Sequence, residues 1–255
     1  MDISLKQFQF DKKKFRESSP FPHLIIDDFL PDNVALEILN SFPSKKDIFW
    51  TPYIHFNEYK FGCSDYDKFP YSIKKIFDVL LSEEFCHELS ILLDTKIFSD
   101  PQLIGGGLHQ TFRNGYLNIH SDFSHHPHNI KWKRKLNLII YFNKDWPASN
   151  KGNLELWDKD KKQCVQSITP DFNRAVLFLT DNDSLHGSPE IVNCKKEESR
   201  KSIALYYYEN TESKEINATK YYYFNKNLII KLITKLENLL LKIFTVIRQL
   251  LKLNH

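Results

Sequence analysis

The sequence predicts an α+β fold: an antiparallel sandwich or jelly roll in the middle, supporting helices before it and a long amphipathic helix after it. Three observations carry this. Between about Gly105 and Asn210, short apolar runs alternate with turns rich in Asn, Asp, Lys and Gly, with no helical pattern between them. Residues 71–81 and 83–93 are apolar at helical spacing and precede that run, where helices often support one face of a sheet. From residue 220 onward, polar residues recur every three, four or seven positions through a segment otherwise built of Leu and Ile.

Taken in order, residues 21–28 read as a short strand and 30–39 as a helix, with Pro31 suited to its first turn. Ser82 is the expected N-cap of the 83–93 helix. Strands are expected at 116–122, 136–142, 153–157, 175–179 and 202–208. In the last helix the polar stripe comprises Asn227, Lys231, Asn238, Lys242, Thr245, Gln249 and Lys252, and Glu237 is its lone acid. Such a helix suits two uses of residues 226–253: docking flat on an anionic membrane surface, or helix–helix and domain packing. The expected organisation is 1–100 (first strand and supporting helices, part of the same domain), 101–212 (catalytic core) and 213–255 (helical extension).

Composition narrows the function. The chain has 255 residues, enough to bury a full core. A net charge of +3 gives no specific nucleic-acid signal. Cys63, Cys86, Cys164 and Cys194 form neither CxxC pairs nor zinc-site spacing, which argues against a disulfide framework and for a reducing compartment. Residues 1–14 are charged and lack an apolar run, so no secretory signal is expected. The expectation is a cytoplasmic protein, with peripheral membrane contact through the last helix as the variant; no oligomeric state is legible.

The chemistry-bearing residues lie in the middle. On a strand, residues two apart share a face, so His120 and Asp122 bring an imidazole and a carboxylate to one point. After a polar turn, His186 offers a third ligand. Two histidines and one carboxylate on one side of a metal leave positions open on the other, as in the facial triad of Fe(II) oxygenases. A lone H-x-D is weak in a chain with ten histidines; the parts that follow it in order add weight. Arg200, Ser202 and Tyr206 share one face of a strand, where the Arg suits two-pronged pairing with a carboxylate and the Ser hydroxyl adds a bond. Residues 123–135, carrying His125, His126 and His128, read either as a basic lid over the site or as a solvated loop.

The stretch from about Gly105 to Asn210 resembles the prolyl-4-hydroxylase-like branch of the 2-oxoglutarate/Fe(II) oxygenases. The matching pieces are the H-x-D strand, Tyr141-Phe142-Asn143-Lys144-Asp145-Trp146, residues 152–157, residues 168–174, His186 and Arg200-Lys201-Ser202; residues 22–29 resemble the family's lead-in. The resemblance implies a double-stranded β-helix with Fe(II) at its mouth, 2-oxoglutarate as co-substrate, O₂, and ascorbate as a further cofactor. It implies His120, Asp122 and His186 as the catalytic metal set and Arg200 as the partner of the distal 2-oxoglutarate carboxylate. Tyr141 would assist Arg200, Leu154 and Tyr206 would be wall residues, and Ser202 would complete an R-x-S pattern. Gln110 stands where a tyrosine is common and is expected to contact the co-substrate. Further departures are a longer segment between His186 and Arg200 and a glycine pair reduced to Gly152. The implied activity is hydroxylation of a peptidyl (prolyl-type) or small-molecule substrate with release of succinate and CO₂. The alternative is a non-catalytic jelly-roll binding module, membrane-associated through its last helix.

Overall fold

The structure is a computed structural model describing residues 8–47, 49–160, 162–213, 215–224 and 227–251, with side chains through 247. Its elements are α1 (Lys12–Glu17), β1 (His23–Ile26), α2 (Asp32–Ser41), β2 (Thr51–His55), β3 (Glu58–Cys63), α3 (Tyr71–Leu81), α4 (Glu83–Leu93), β4 (Phe98–Ser99), β5 (Gly107–Phe112), β6 (Tyr116–Ser121), β7 (His125–His126), β8 (Asn129–Tyr141), β9 (Leu154–Asp158), β10 (Gln163–Ile168), β11 (Arg174–Leu179), β12 (Leu185–Ser188), β13 (Ser199–Asn210), β14 (Lys220–Tyr221) and α5 (Leu228–Leu251).

The strands form one curled, antiparallel, 14-stranded sheet whose main path runs β1-β11-β8-β13-β5-β3-β6-β12-β9-β10. β3 makes the turn between the two halves: Phe61, Gly62 and Cys63 pair with β5, while Glu58 and Tyr59 pair with β6. The inner strands are buried on both faces, which explains their nearly continuous apolar sequences. Leu138 and Ile140 of β8, Leu177 of β11 and Ile203 and Leu205 of β13 pack in the core that includes α2, α3 and α4. Their alternates Tyr141, Val176 and Phe178 join a second cluster with Leu154, Leu156 and Ile168. This second cluster floors the site.

Helices α3 and α4 occupy their expected spans, and the Ser82 hydroxyl accepts the Phe85 N–H at 3.1 Å. In α2, Pro31 precedes the first turn as the N-cap residue instead of entering it. The β2–β3 hairpin was not expected. Pro52 argues against a strand, but β2 is a solvent-exposed edge, where a missing N–H is harmless.

Two expectations need correction. Residues 123–135 are not a free loop: β7 folds back on β8, pairing His125 with Lys133 and His126 with Asn129. His126 is buried, 3.3 Å from Asp100 and against the rings of Trp132 and Tyr208. The second concerns α5. Thr234, Glu237 and Asn238 face the domain: Asn238 accepts the Tyr221 N–H and donates to the Tyr221 carbonyl, both at 2.8 Å, and Glu237 contacts His55 and Asn57. Its leucines and isoleucines face outward, so packing of its apolar face on the domain does not occur. The stripe's Gln249 side chain and Lys252 lie outside the described residues.

Candidate metal centre and co-substrate pocket

His120 on β6 and His186 on β12 are cross-strand partners, and Asp122 follows β6 directly. Gly187 permits this pairing: a Cβ there would stand 2.8 Å from the carbonyl oxygens of both Leu117 and Asn118. One ligand atom from each of His120, Asp122 and His186 lies within 4.8 Å of the others. The Nε2 atoms of His120 and His186 lie 3.6 and 3.4 Å from the two Asp122 oxygens.

The surroundings orient all three groups toward one point. His120 Nδ1 is 2.9 Å from the Asn118 carbonyl and His186 Nδ1 is 2.9 Å from the Ser184 carbonyl. A carbonyl only accepts, so each Nδ1 carries the proton and each Nε2 presents a lone pair to the common point. Burial, then the neighbouring His120, pushes His186 down to about 4, so it is neutral at physiological pH. Burial works to raise the Asp122 carboxyl, but the Arg134 guanidinium beside it holds it well below the ordinary range. Arg134 reaches Asp122 at 3.0 Å, and Asn137 donates to the same oxygen at 2.8 Å while accepting from Arg134 Nε at 2.8 Å. Arg134 is 2% exposed and lies between the rings of Phe123 and Tyr206.

These groups open onto a cavity of about 230 Å³. Arg200, Ser202, Leu154 and Tyr206 line it, as expected of wall and anion-binding residues. Tyr141 sits behind Arg200 and accepts a hydrogen bond from its Nη2 at 3.0 Å. The Tyr206 hydroxyl donates to the Gly105 carbonyl at 2.9 Å. Gly152, at φ +82°, leaves room for Arg200: a Cβ there would stand 3.1 Å from Arg200 Cδ. The long segment before Arg200 is tied back by the Val192 N–H to Gly115 and the Asn193 N–H to Asn150, both at 2.9 Å.

Gln110 does not face this cavity. Strand alternation turns it outward, where it donates to the Pro43 carbonyl and accepts from Ser199 at 2.7 Å. Its neighbours His109 and Thr111 point inward instead. His109 was missed by sequence reasoning. Burial, then the Lys60 charge, pushes it down to about 3, and its Nε2 is buried with no protein partner. Arg200 Nε, on the same cavity, is likewise buried and unpartnered. Two imidazoles with Nε2 lone pairs turned to one point beside an ionised carboxylate, on a cavity that Arg200 also lines, fit a divalent metal and an anionic co-substrate.

Two further wall contributions come from distant sequence. Lys60 and Glu58 of β3 form a pair at 2.8 Å on the cavity wall. Tyr221 of β14 pairs with His120, its ring centroid 5.5 Å from the imidazole, and its hydroxyl donates to Glu58 at 3.4 Å.

Residues 106–208 match the 2OG-Fe(II) oxygenase superfamily. The mouse prolyl 3-hydroxylase OGFOD1 is 33% identical over 79 residues, covering 29% of this chain but only 14% of that protein's length. A crystal structure of a Pseudomonas putida prolyl-4-hydroxylase superposes with a TM-score of 0.52 at 10% identity, covering 78% of this chain and 97% of that one. A Trichoplax adhaerens prolyl hydroxylase in complex with a hypoxia inducible factor oxygen degradation domain peptide fragment gives a TM-score of 0.48 at 15% identity, covering 78% and 87%. The Pseudomonas superposition establishes the jelly-roll fold expected from the sequence.

Proposed function

We propose that this chain, whose residues 106–208 match the 2OG-Fe(II) oxygenase superfamily, is a 2-oxoglutarate-dependent hydroxylase acting on a peptidyl, prolyl-type side chain. The observation that carries the proposal is the His120–Asp122–His186 cluster opening onto the same cavity as Arg200, whose Nε has no protein partner. A non-catalytic module leaves that arrangement without a use.

When bound, Fe(II) with O₂ and 2-oxoglutarate supplies the oxidising chemistry, releasing succinate and CO₂. The protein's own work is placement. His120 and His186 offer Nε2 lone pairs, their Nδ1 protons held by carbonyls. Arg134 and Asn137 keep Asp122 ionised and aimed. Arg200, braced by Tyr141, binds the distal carboxylate, with Ser202 as a further donor. Leu154 and the Tyr206 ring exclude water from that end. No side chain is assigned a proton in the oxidative step. The prolyl assignment rests on the name of the mouse relative, and a free small molecule is the alternative substrate class. Ascorbate is included as a reductant for the iron, tested by rates with and without it.

The experiment is succinate formation by anaerobically purified protein given Fe(II), 2-oxoglutarate and O₂, alone and with prolyl peptides. Succinate production lost in His120→Ala and Arg200→Ala supports the proposal, and stimulation by a peptide fixes the substrate class. Absence of succinate together with failure to bind either Fe(II) or 2-oxoglutarate overturns it.

A further inference from the structure

We propose that α5 is a membrane-surface helix that seats the catalytic domain on anionic lipid. Its orientation is the reverse of a core helix. Thr234, Glu237 and Asn238 turn toward the domain, while Leu232, Leu236, Leu239, Leu240, Ile243 and Phe244 are 45–65% exposed. A contiguous apolar face of this size marks an interaction surface. The helix has 24 residues and is roughly 36 Å long. Among the described residues no helix is long and apolar enough to cross a membrane, so α5 lies along a surface instead of spanning it.

Charge selects the occupant. Lys231, Lys235 and Lys242, spaced by four and seven residues, form an exposed row along one flank of the apolar face. The helix's lone acid, Glu237, is turned inward against His55 and Asn57. Among the described residues, the exposed charge on α5 is therefore entirely cationic. A second copy of α5 packed on this face would bring the same lysines and, among the described residues, no exposed acid to meet them. An anionic lipid surface meets both features: acyl chains take the leucine face and headgroups take the lysine row.

The seat is coupled to the site. Asn238 clamps the backbone of Tyr221, which pairs with the His120 strand and lines the cavity. Docking through α5 would hold the cavity wall beside the lipid surface. This inference does not depend on the chemistry proposed above, because it rests on the outer face of α5.

The test is co-sedimentation of the full chain with phosphatidylcholine vesicles and with mixed phosphatidylcholine–phosphatidylserine vesicles, with light scattering of the lipid-free protein. Binding to the mixed vesicles that weakens with salt is expected. Lys231→Gln, Lys235→Gln and Lys242→Gln should weaken it about fivefold each, on the order of a hundredfold together. Leu239→Glu with Ile243→Glu should abolish it with an unchanged melting temperature, since both side chains already face outward. Equal binding to neutral vesicles, or no binding to either, overturns the proposal. So does a lipid-free dimer that Leu239→Glu dissociates, because a second copy would then cover the face.

Discussion

Replacing Arg134 with methionine removes the cation facing Asp122 and keeps a long apolar side chain between the Phe123 and Tyr206 rings. Breaking a buried ion pair at one partner costs about 3–5 kcal/mol. Asp122 would retain its 2.8 Å bond from Asn137, which places the expected loss near the lower limit, about 3 kcal/mol. For a chain of this size that corresponds to a melting-temperature drop of about 6–12 °C. The pH dependence carries a more specific signature. In the native protein the Asp122 carboxyl lies below its ordinary value, so its stabilising contribution is present above the unfolded pKa and is lost on acidification. Without Arg134, burial raises the carboxyl instead. Its contribution is then present at low pH and lost as pH rises through the raised value. The gap between native and variant melting temperatures therefore widens from acid to neutral pH. Divalent metal affinity, read by Mn(II) titration, should fall about 10–100-fold, as for other residues that orient a ligand. Melting within about 2 °C of the native protein with a pH-independent gap would refute the reasoning.

Replacing Ser202 with alanine removes a hydroxyl from the cavity wall and should raise the KM for 2-oxoglutarate by about ten- to a hundredfold, the worth of one hydrogen bond to a charged group; an unchanged 2-oxoglutarate titration in the succinate assay would remove Ser202 from the binding set. The Gln110→Ala variant should leave that KM alone and lower stability instead, because Gln110 bonds Pro43 and Ser199 outside the cavity. A Gly187→Ala Cβ would press on the Leu117 and Asn118 carbonyls, costing about 1–3 kcal/mol and weakening metal binding by displacing His186; thermal melts with and without Mn(II) read both. Replacing Asn238 with alanine leaves the Tyr221 N–H and carbonyl unpaired and should speed amide exchange across residues 220–247 without unfolding the sheet; uniform protection would show that α5 is held by something else.

The three candidate ligands were legible as a cluster because their signal is local. His120 and Asp122 need only strand alternation, and β6 supplies it; His186 needs only a strand, a turn and its place in the order. The residues that tune them were not legible, for an identifiable reason. Read by simple alternation back from Ile139 and Asn137, β8 would turn Lys135 inward and Arg134 outward. The register of β8 against β13 instead shifts between Tyr207–Leu136 and Tyr208–Arg134. The bulge leaves Lys135 as the extra residue and turns Arg134 to the same side as Asn137. Nothing in Lys133-Arg134-Lys135 distinguishes the buried cation from its exposed neighbours. Gln110 fails for a related reason: counting residues back from His120 does not reveal the side to which β5 turns each of them, and there the inward positions are His109 and Thr111.

The buried charges also explain why a cation stands behind a metal ligand. In the metal-free site, an ionised Asp122 with no cation beside it would carry an uncompensated charge in a buried place, and it would take up a proton. Arg134 prevents this, so the carboxylate is already ionised and aimed when metal arrives. A dipositive ion with one carboxylate and a dianionic co-substrate would sum to a single negative charge. Arg134 and Arg200, on either side of the cavity, more than offset it, while Lys60 is matched by Glu58. The positive charge left in excess is then that of Arg200, which lines the cavity a distal carboxylate would fill. Metal retention and co-substrate capture are then separable. Loss of Arg134 should lower metal affinity and leave 2-oxoglutarate binding to the metal-loaded protein nearly intact, and loss of Arg200 should do the reverse. A variant pair in which both affinities fall together would mean that the two cations act as one field and not as two contacts.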